Sequence, residues 1–368
     1  MRKAAIVVAA FVLFSVFGFA MASAAETTPT VAVDLAHGEN PKGLTDVTYK
    51  NKTLTEGILN TIKDMKFVYF GDAKYEEELG IKNLGQKITY DALKDVDILI
   101  IGQPTSPFYP DEVQAIKKWL SEGGKVLWIA GDSDYGSGAK AQQFVDGLLD
   151  QLGITNLRVD LCSVEDPVSN AKKSYRVVAI VKPSPDTPKK DMLTKGFKNG
   201  GKVLEHGPGV VAWVDDNGNW HPLSDDNKPK NAYIIVRTTE NGQIVENNAP
   251  AANAYQAGDQ GSFPIVAVQV VELSSSKKPN VIIVSGETPI GGYTPSWVSQ
   301  YYDVPLDGPQ FVTNLLHWSV EMTKGTPSTS SSTPAKTTSS TTSSKGGICG
   351  PAFVVALAAL PLLLRRRK

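Results

Sequence analysis

Short apolar runs alternate with stretches of helical spacing through the first half of this chain. That alternation restricts the fold more than any other feature. Residues 30–35 (TVAVDL), 66–70 (KFVYF), 97–101 (DILII) and 125–130 (KVLWIA) read as buried strands. Between them, residues 53–65 carry Leu54, Ile58, Leu59 and Ile62 at helical spacing. Residues 110–122 repeat the pattern with Val113, Ile116, Trp119 and Leu120, and Gly123-Gly124 ends that helix. Residues 141–152 predict the next helix. Buried strands joined by helices of this length form a parallel sheet covered on both faces. The expected fold class is therefore α/β, a flavodoxin-like, doubly wound, mostly parallel sheet.

The second half adds β structure, richest over about residues 160–275. Strands are expected at 176–181, 209–214, 232–238, 265–273 and 281–285. Asp216-Asn217-Gly218 and Glu240-Asn241-Gly242 read as hairpin-type turns. Residues 246–261, rich in Asn, Ala and Gly, read as a long loop, and 309–322 as a final helix. No internal repeat is present.

The two ends carry different instructions. Arg2 and Lys3, an apolar stretch to about Phe19, and Ala22-Ser23-Ala24 make a secretory signal peptide over residues 1–25. Residues 26–324 form the ectodomain. A Ser/Thr/Pro tract over 325–347 cannot bury enough apolar surface to offset its conformational entropy, and its dense hydroxyls suit an O-glycosylated stalk. Residues 348–368 hold a short apolar run and end in Arg365-Arg366-Arg367-Lys368, a marginal membrane span with its basic end on the cytoplasmic side.

Charge and cysteine content narrow the function. The termini hold eight of the 37 Lys and Arg and none of the 38 Asp and Glu, which leaves the ectodomain about nine net negative charges. Such a domain is a poor nucleic-acid binder, because phosphate contacts need Lys and Arg. Of the two cysteines, Cys349 lies in the tail. Cys162 is then alone in the ectodomain, so no internal disulfide and no four-Cys zinc site is available. Its apolar surroundings predict a buried small hydrophobe.

Ile348-Cys349-Gly350-Pro351-Ala352, the apolar run and the basic end resemble the CGP-CTERM sorting signal of surface proteins from hyperthermophilic archaea. The resemblance implies recognition by a surface-sorting system, with Cys349 as the site of processing or lipid attachment. The ectodomain resembles the class I glutamine amidotransferase-like superfamily. The nearest members are noncatalytic domains found with gliding-motility ABC transporters and in intraflagellar transport proteins. Residues 33–39 (VDLAHGE), 90–134, 263–268 (FPIVAV), 281–287 and 311–318 (FVTNLLHW) carry it. Members often have Gly-Asp-Ser after the last strand, where this chain has Gly286-Glu287-Thr288.

Ligands of open parallel sheets bind beyond the carboxyl ends of the strands. There the sequence places His37 and Glu39, Gln103 and Thr105, Asp132, Ser133 and Asp134, and Glu287 and Thr288. Three readings stand. Ser133 with His37 as base would make a serine-type hydrolase acting on glycan or peptide, although the flanking residues are not G-x-S-x-G. Glu39, Asp132 and Asp134 offer oxygen ligands to Ca²⁺. In the third reading these groups are structural. Trp297 and Tyr301, in a Gly/Pro/Ser-rich loop, add rings able to stack on a sugar or a protein partner, or to cover the sheet end. The resulting expectation is a noncatalytic surface domain with no obligatory cofactor. It would be tethered to the membrane through its C-terminus and bind an envelope protein, an ABC transporter component or a glycan.

Overall fold

Ile98–Ile101 is apolar at every position and buried at every position, because it lies in the middle of a sheet covered on both faces. The computed structural model describes residues 28–49, 51–273 and 275–325. The expected signal peptide, stalk and C-terminal anchor, with Cys349, lie outside the described residues.

Ten strands form the main sheet: β1 Thr30–Asp34, β2 Lys66–Phe70, β3 Lys82–Asn83, β4 Ile98–Ile101, β5 Val126–Ala130, β6 Arg176–Val181, β7 Lys202–His206, β8 Ala232–Arg237, β9 Pro264–Val271 and β10 Asn280–Ser285. Their order across the sheet is β7-β6-β8-β9-β10-β5-β4-β1-β2-β3. Pairings from β10 to β3 are parallel. Those from β10 to β7 are antiparallel. The expected α/β sheet is thus present: β1–β5 and the late strand β10 make its parallel part, and the β-rich second half extends it.

Three long helices cover the sheet. α1 (Pro110–Ser121) and α2 (Gly138–Leu152) pack on one face, with Val113, Ile116, Trp119, Val145, Leu148 and Leu149 meeting Leu99, Ile101, Leu127 and Ile129. α3 (Gly308–Thr323) lies on the other, where Phe311, Leu315 and Trp318 meet Val126, Trp128, Val281 and Ile283. Burying each such aliphatic side chain contributes roughly 1.5–3 kcal/mol. Cys162 is buried and free, as its setting predicts. Outside this frame lie two two-stranded sheets, Val47–Tyr49 with Lys52–Thr55 and Gln300–Tyr301 with Val304–Pro305, and two three-stranded ones. Of the three-stranded sheets, one joins Leu157–Asp160, Val210–Val214 and Trp220–Pro222, and the other joins Ser163–Glu165, Gly242–Val245 and Gln260–Gly261. No helix among the described residues is long and apolar enough to cross a membrane.

Two local expectations fail. The helix read over 53–65 is instead a strand, Lys52–Thr55, and one helical turn, Ile58–Thr61. Thr53 and Thr55 favour extended backbone. Gly57 breaks the pattern by packing so closely that a Cβ there would lie 2.3 Å from the Leu44 carbonyl oxygen. Asp216-Asn217-Gly218 does close a hairpin, between Val210–Val214 and Trp220–Pro222. Glu240-Asn241-Gly242 does not: its flanking strands belong to different sheets. In the main sheet β3 and β7 were not foreseen, and neither were the small-sheet strands Leu157–Asp160, Ser163–Glu165, Trp220–Pro222 and Gly242–Val245.

Ile283 is fully buried in β10, between β9 and β5. Ile283→Ala should cost about 2–5 kcal/mol of stability, read as a lower urea midpoint at unchanged slope. A loss below about 1 kcal/mol would contradict this packing.

Candidate functional site

β1, β4, β5 and β10 are parallel, so the residues following them share one edge of the sheet. β7 also runs in that direction, through the antiparallel steps β10-β9-β8-β6-β7. That edge, the rim, therefore receives His37 and Glu39, Gln103, Asp132 and Ser133, Glu287, and also Glu205 and His206. β6 begins there with Arg176, directly opposite His206 in register.

His37 is 3% exposed and held at both ring nitrogens. Nδ1 donates to Asp34 Oδ2 at 2.7 Å and Nε2 to Glu112 Oε2 at 3.2 Å. The Phe108 ring lies against it at 4.0 Å. Burial alone would lower its pKa, but the hydrogen bonds to Asp34 and Glu112 overcome this and raise it to about 10. At neutral pH it is an imidazolium with no lone pair. Glu112 binds more than His37: it also accepts from the backbone N–H groups of Ile88 and Tyr109 at 3.0 and 2.9 Å, which secures the first turn of α1. The turn itself needs Gly38, whose φ is +95° and whose Cβ would collide with Thr105 Oγ1 at 1.9 Å. Thr105 N donates to the His37 carbonyl at 2.8 Å.

Ser133 is equally committed. Its Oγ accepts from Tyr135 N at 3.2 Å, and its N–H donates to Asp132 Oδ1 at 2.7 Å. The proposed base, His37, has both nitrogens occupied. The Ser133–His37 pair of the hydrolase reading is therefore not assembled.

Asp134 turns away from the rim. Its carboxylate accepts from Ser163 Oγ, Asn247 Nδ2 (2.7 Å), Asn247 N and Asn248 N (3.1 Å), and so staples the 246–259 loop to the body. Asp134 is thereby separated in role from Glu39 and Asp132. Among the described residues no group of three or more His, Cys, Asp or Glu side chains is placed to hold a metal ion. The rings called from sequence are also elsewhere: Trp297 and Tyr301 are 0% and 2% exposed. The Trp297 indole N–H donates to the Glu56 carbonyl at 2.8 Å. As core rings they cannot offer a stacking face, whereas Tyr109, Tyr135, Tyr175 and Tyr293 are exposed near the rim.

The remaining groups form the site. Glu287 Oε1 accepts from Gln103 Nε2 at 2.9 Å and Thr288 N at 2.8 Å, and Oε2 from His206 N at 3.0 Å. Glu205 is fully buried; Oε2 accepts from Ser296 Oγ at 2.9 Å, and Oε1 has no protein partner. Glu39 Oε2 accepts from His37 N at 3.1 Å, and its Oε1 is likewise unpartnered. Burial pushes Asp132 up to about 7 and Glu205 up to about 8. Burial, then the charges of Asp132 and Glu205, raise Glu287, and burial with the nearby Asp34 raises Glu39. Sequence reasoning missed Glu205, His206, Lys42, Arg176, Asp34 and Glu112. The available signal for the first two was Lys202-Val203-Leu204-Glu205-His206 between Gly200-Gly201 and Gly207-Pro208-Gly209, a short strand bounded by turn residues.

The raised carboxyl groups carry a pH signature. A group whose native pKa exceeds its unfolded value adds stability below the unfolded value and loses it as pH rises through the native one. For Glu205 that window runs from about 4.5 to about 8. The urea midpoint should fall across this window, and Glu205→Gln, which stays neutral, should make the fall shallower. An unchanged slope would show that Glu205 ionises normally in the folded protein.

No protein-family model and no curated protein matches the chain. Among solved structures, the mmIFT52 N-terminal domain aligns at 13% identity over 79% of this chain and 97% of that one, with a TM-score of 0.44. A ThuA-like protein from Bacteroides uniformis aligns at 13% identity over 83% of this chain and 97% of that one, with a TM-score of 0.38.

Proposed function

We propose that this chain is a binding domain carried on the outer face of a cell membrane, which engages its ligand at the rim and catalyses no reaction there. One observation carries the noncatalytic part. His37 is clamped as a cation between Asp34 and Glu112 while Ser133 Oγ accepts from the backbone, so the rim has no nucleophile activated by a base.

The location rests on the sequence: a signal peptide, a Ser/Thr-rich stalk and a tail similar to the sorting signal of archaeal surface proteins, with Cys349 as the processing or lipidation site. The described chain suits such a leash. Thr28 and Pro29 share a cavity with Thr323 and Lys324 at the amino-terminal edge of the sheet, together with Asp97 and Val126. The described ends are thus opposite the rim. The binding partner is an envelope protein, a transporter component or a glycan. For a glycan, the exposed rings of Tyr135 and Tyr293 offer stacking faces beside buried hydrogen-bonding groups.

The test is binding of the purified full chain to washed cell-envelope fragments. Ser133→Ala should bind as the parent does. Glu287→Ala, which removes the acceptor shared by Gln103, Thr288 and His206, should bind at least tenfold more weakly. Turnover of envelope material that disappears with Ser133→Ala would overturn the proposal in favour of the hydrolase.

A further inference from the structure

His206 stands at the centre of a group that nothing in the fold requires. Its ring contacts those of Tyr293 (4.8 Å), Tyr175 (5.7 Å) and Tyr301 (5.9 Å). Arg176 faces it across the β6–β7 pair, and the guanidinium carbon lies 5.1 Å from the Tyr175 ring centre and 4.7 Å from that of Tyr302. Lys42 reaches in from the β1 side. Its ammonium donates to the carbonyls of Gly292 and Tyr293 and lies 5.6 Å from the Tyr293 ring centre.

Two features make this group unusual. First, neither Lys42 nor Arg176 forms an ion pair with Asp or Glu among the described residues, although buried carboxyl groups lie close by. Second, Arg176 Nε and His206 Nε2 are buried with no hydrogen-bond partner in the protein. Buried polar atoms are rarely left so. Stacking uses the faces of a guanidinium and leaves its in-plane N–H groups as donors, the geometry that suits an oxyanion.

We propose that Arg176, Lys42 and His206 form an anion subsite at the rim, which takes a compact oxyanion on the ligand, the carboxylate of an acidic sugar or a phosphate group. This rests on the rim being the binding surface proposed above, and it specifies the ligand's charge. The neighbouring carboxyl groups do not oppose it. Burial raises Glu39, Asp132, Glu205 and Glu287, which reduces the negative charge they set against an anion. The two cations are felt at His206: burial lowers it to about 4, and Arg176 and Lys42 act in the same direction. An oxyanion would supply the missing counter-charge, while Tyr175 and Tyr293 flank the ligand body.

The experiment follows the His206 ring resonance of the full chain at pH 7 while sodium glucuronate, inorganic phosphate or neutral methyl glucoside is added. The two anions should shift it saturably and methyl glucoside should not; the relative affinity of the two anions tells a carboxylate from a phosphate source. His317, paired with Asp64 at 2.7 Å, should stay still. Arg176→Met should weaken anion binding at least tenfold. Lys42→Met should weaken it several-fold and serves if the first variant fails to fold. Absence of a saturable anion shift, equal response to methyl glucoside, or full anion binding by both variants would overturn the subsite. Envelope binding that still depends on Glu287 would, in that event, leave the rim as the binding surface.

Discussion

The Asp34–His37–Glu112 bridge organises the edge of the sheet on which the functional reading depends. Asp34 ends β1, His37 opens the following turn, and Glu112 sits in the first turn of α1. A single imidazolium thus joins strand, turn and helix. It also neutralises part of the charge of two buried carboxylates that would otherwise face each other. Removing one member of such a buried set typically costs about 3–5 kcal/mol, because the remaining charges lose their compensation. The same arrangement removes His37 from chemistry, since a base needs a lone pair.

With His37 and Asp134 used structurally, the rim divides into two regions. Glu39, Asp132, Glu205 and Glu287 form an acidic floor whose pKa values burial raises. Lys42 and Arg176, beside His206 and walled by tyrosines, form a basic edge whose two cations pair with no carboxylate among the described residues. The separation is maintained by backbone hydrogen bonds: Glu287 receives the His206 N–H, and Lys42 donates to the carbonyls of Gly292 and Tyr293. The proposed binding role rests on this arrangement.

Much of the frame was legible because the relevant strands are apolar on both faces. The runs 97–101 and 125–130 admit little but a central strand, and α1 is bracketed by Pro110 and Gly123-Gly124. The segment over 53–65 misled because its apolar spacing also suits a strand followed by a turn, and a close approach at Gly57 decided the matter. β7 escaped notice because Lys202 and Glu205 make it look polar, although Glu205 is fully buried. The rim was legible only where a residue follows a strand in sequence, as with His37, Gln103 and Glu287. Long-range partners such as Glu112 to His37, or Arg176 to His206, depend on topology and register, which local pattern does not encode. Trp297 and Tyr301 were misread because a Gly/Pro/Ser-rich loop can still bury its rings against the core.

The central claim is that His37 is a charged clamp at neutral pH rather than a base. The most direct measurement is the pH dependence of its two ring nitrogen shifts by NMR in the folded full chain. The account predicts that both nitrogens remain protonated through neutral pH and titrate together with a midpoint near 10. A neutral tautomer at pH 7, with a midpoint near the ordinary 6.5, would contradict it and restore His37 as a catalytic base.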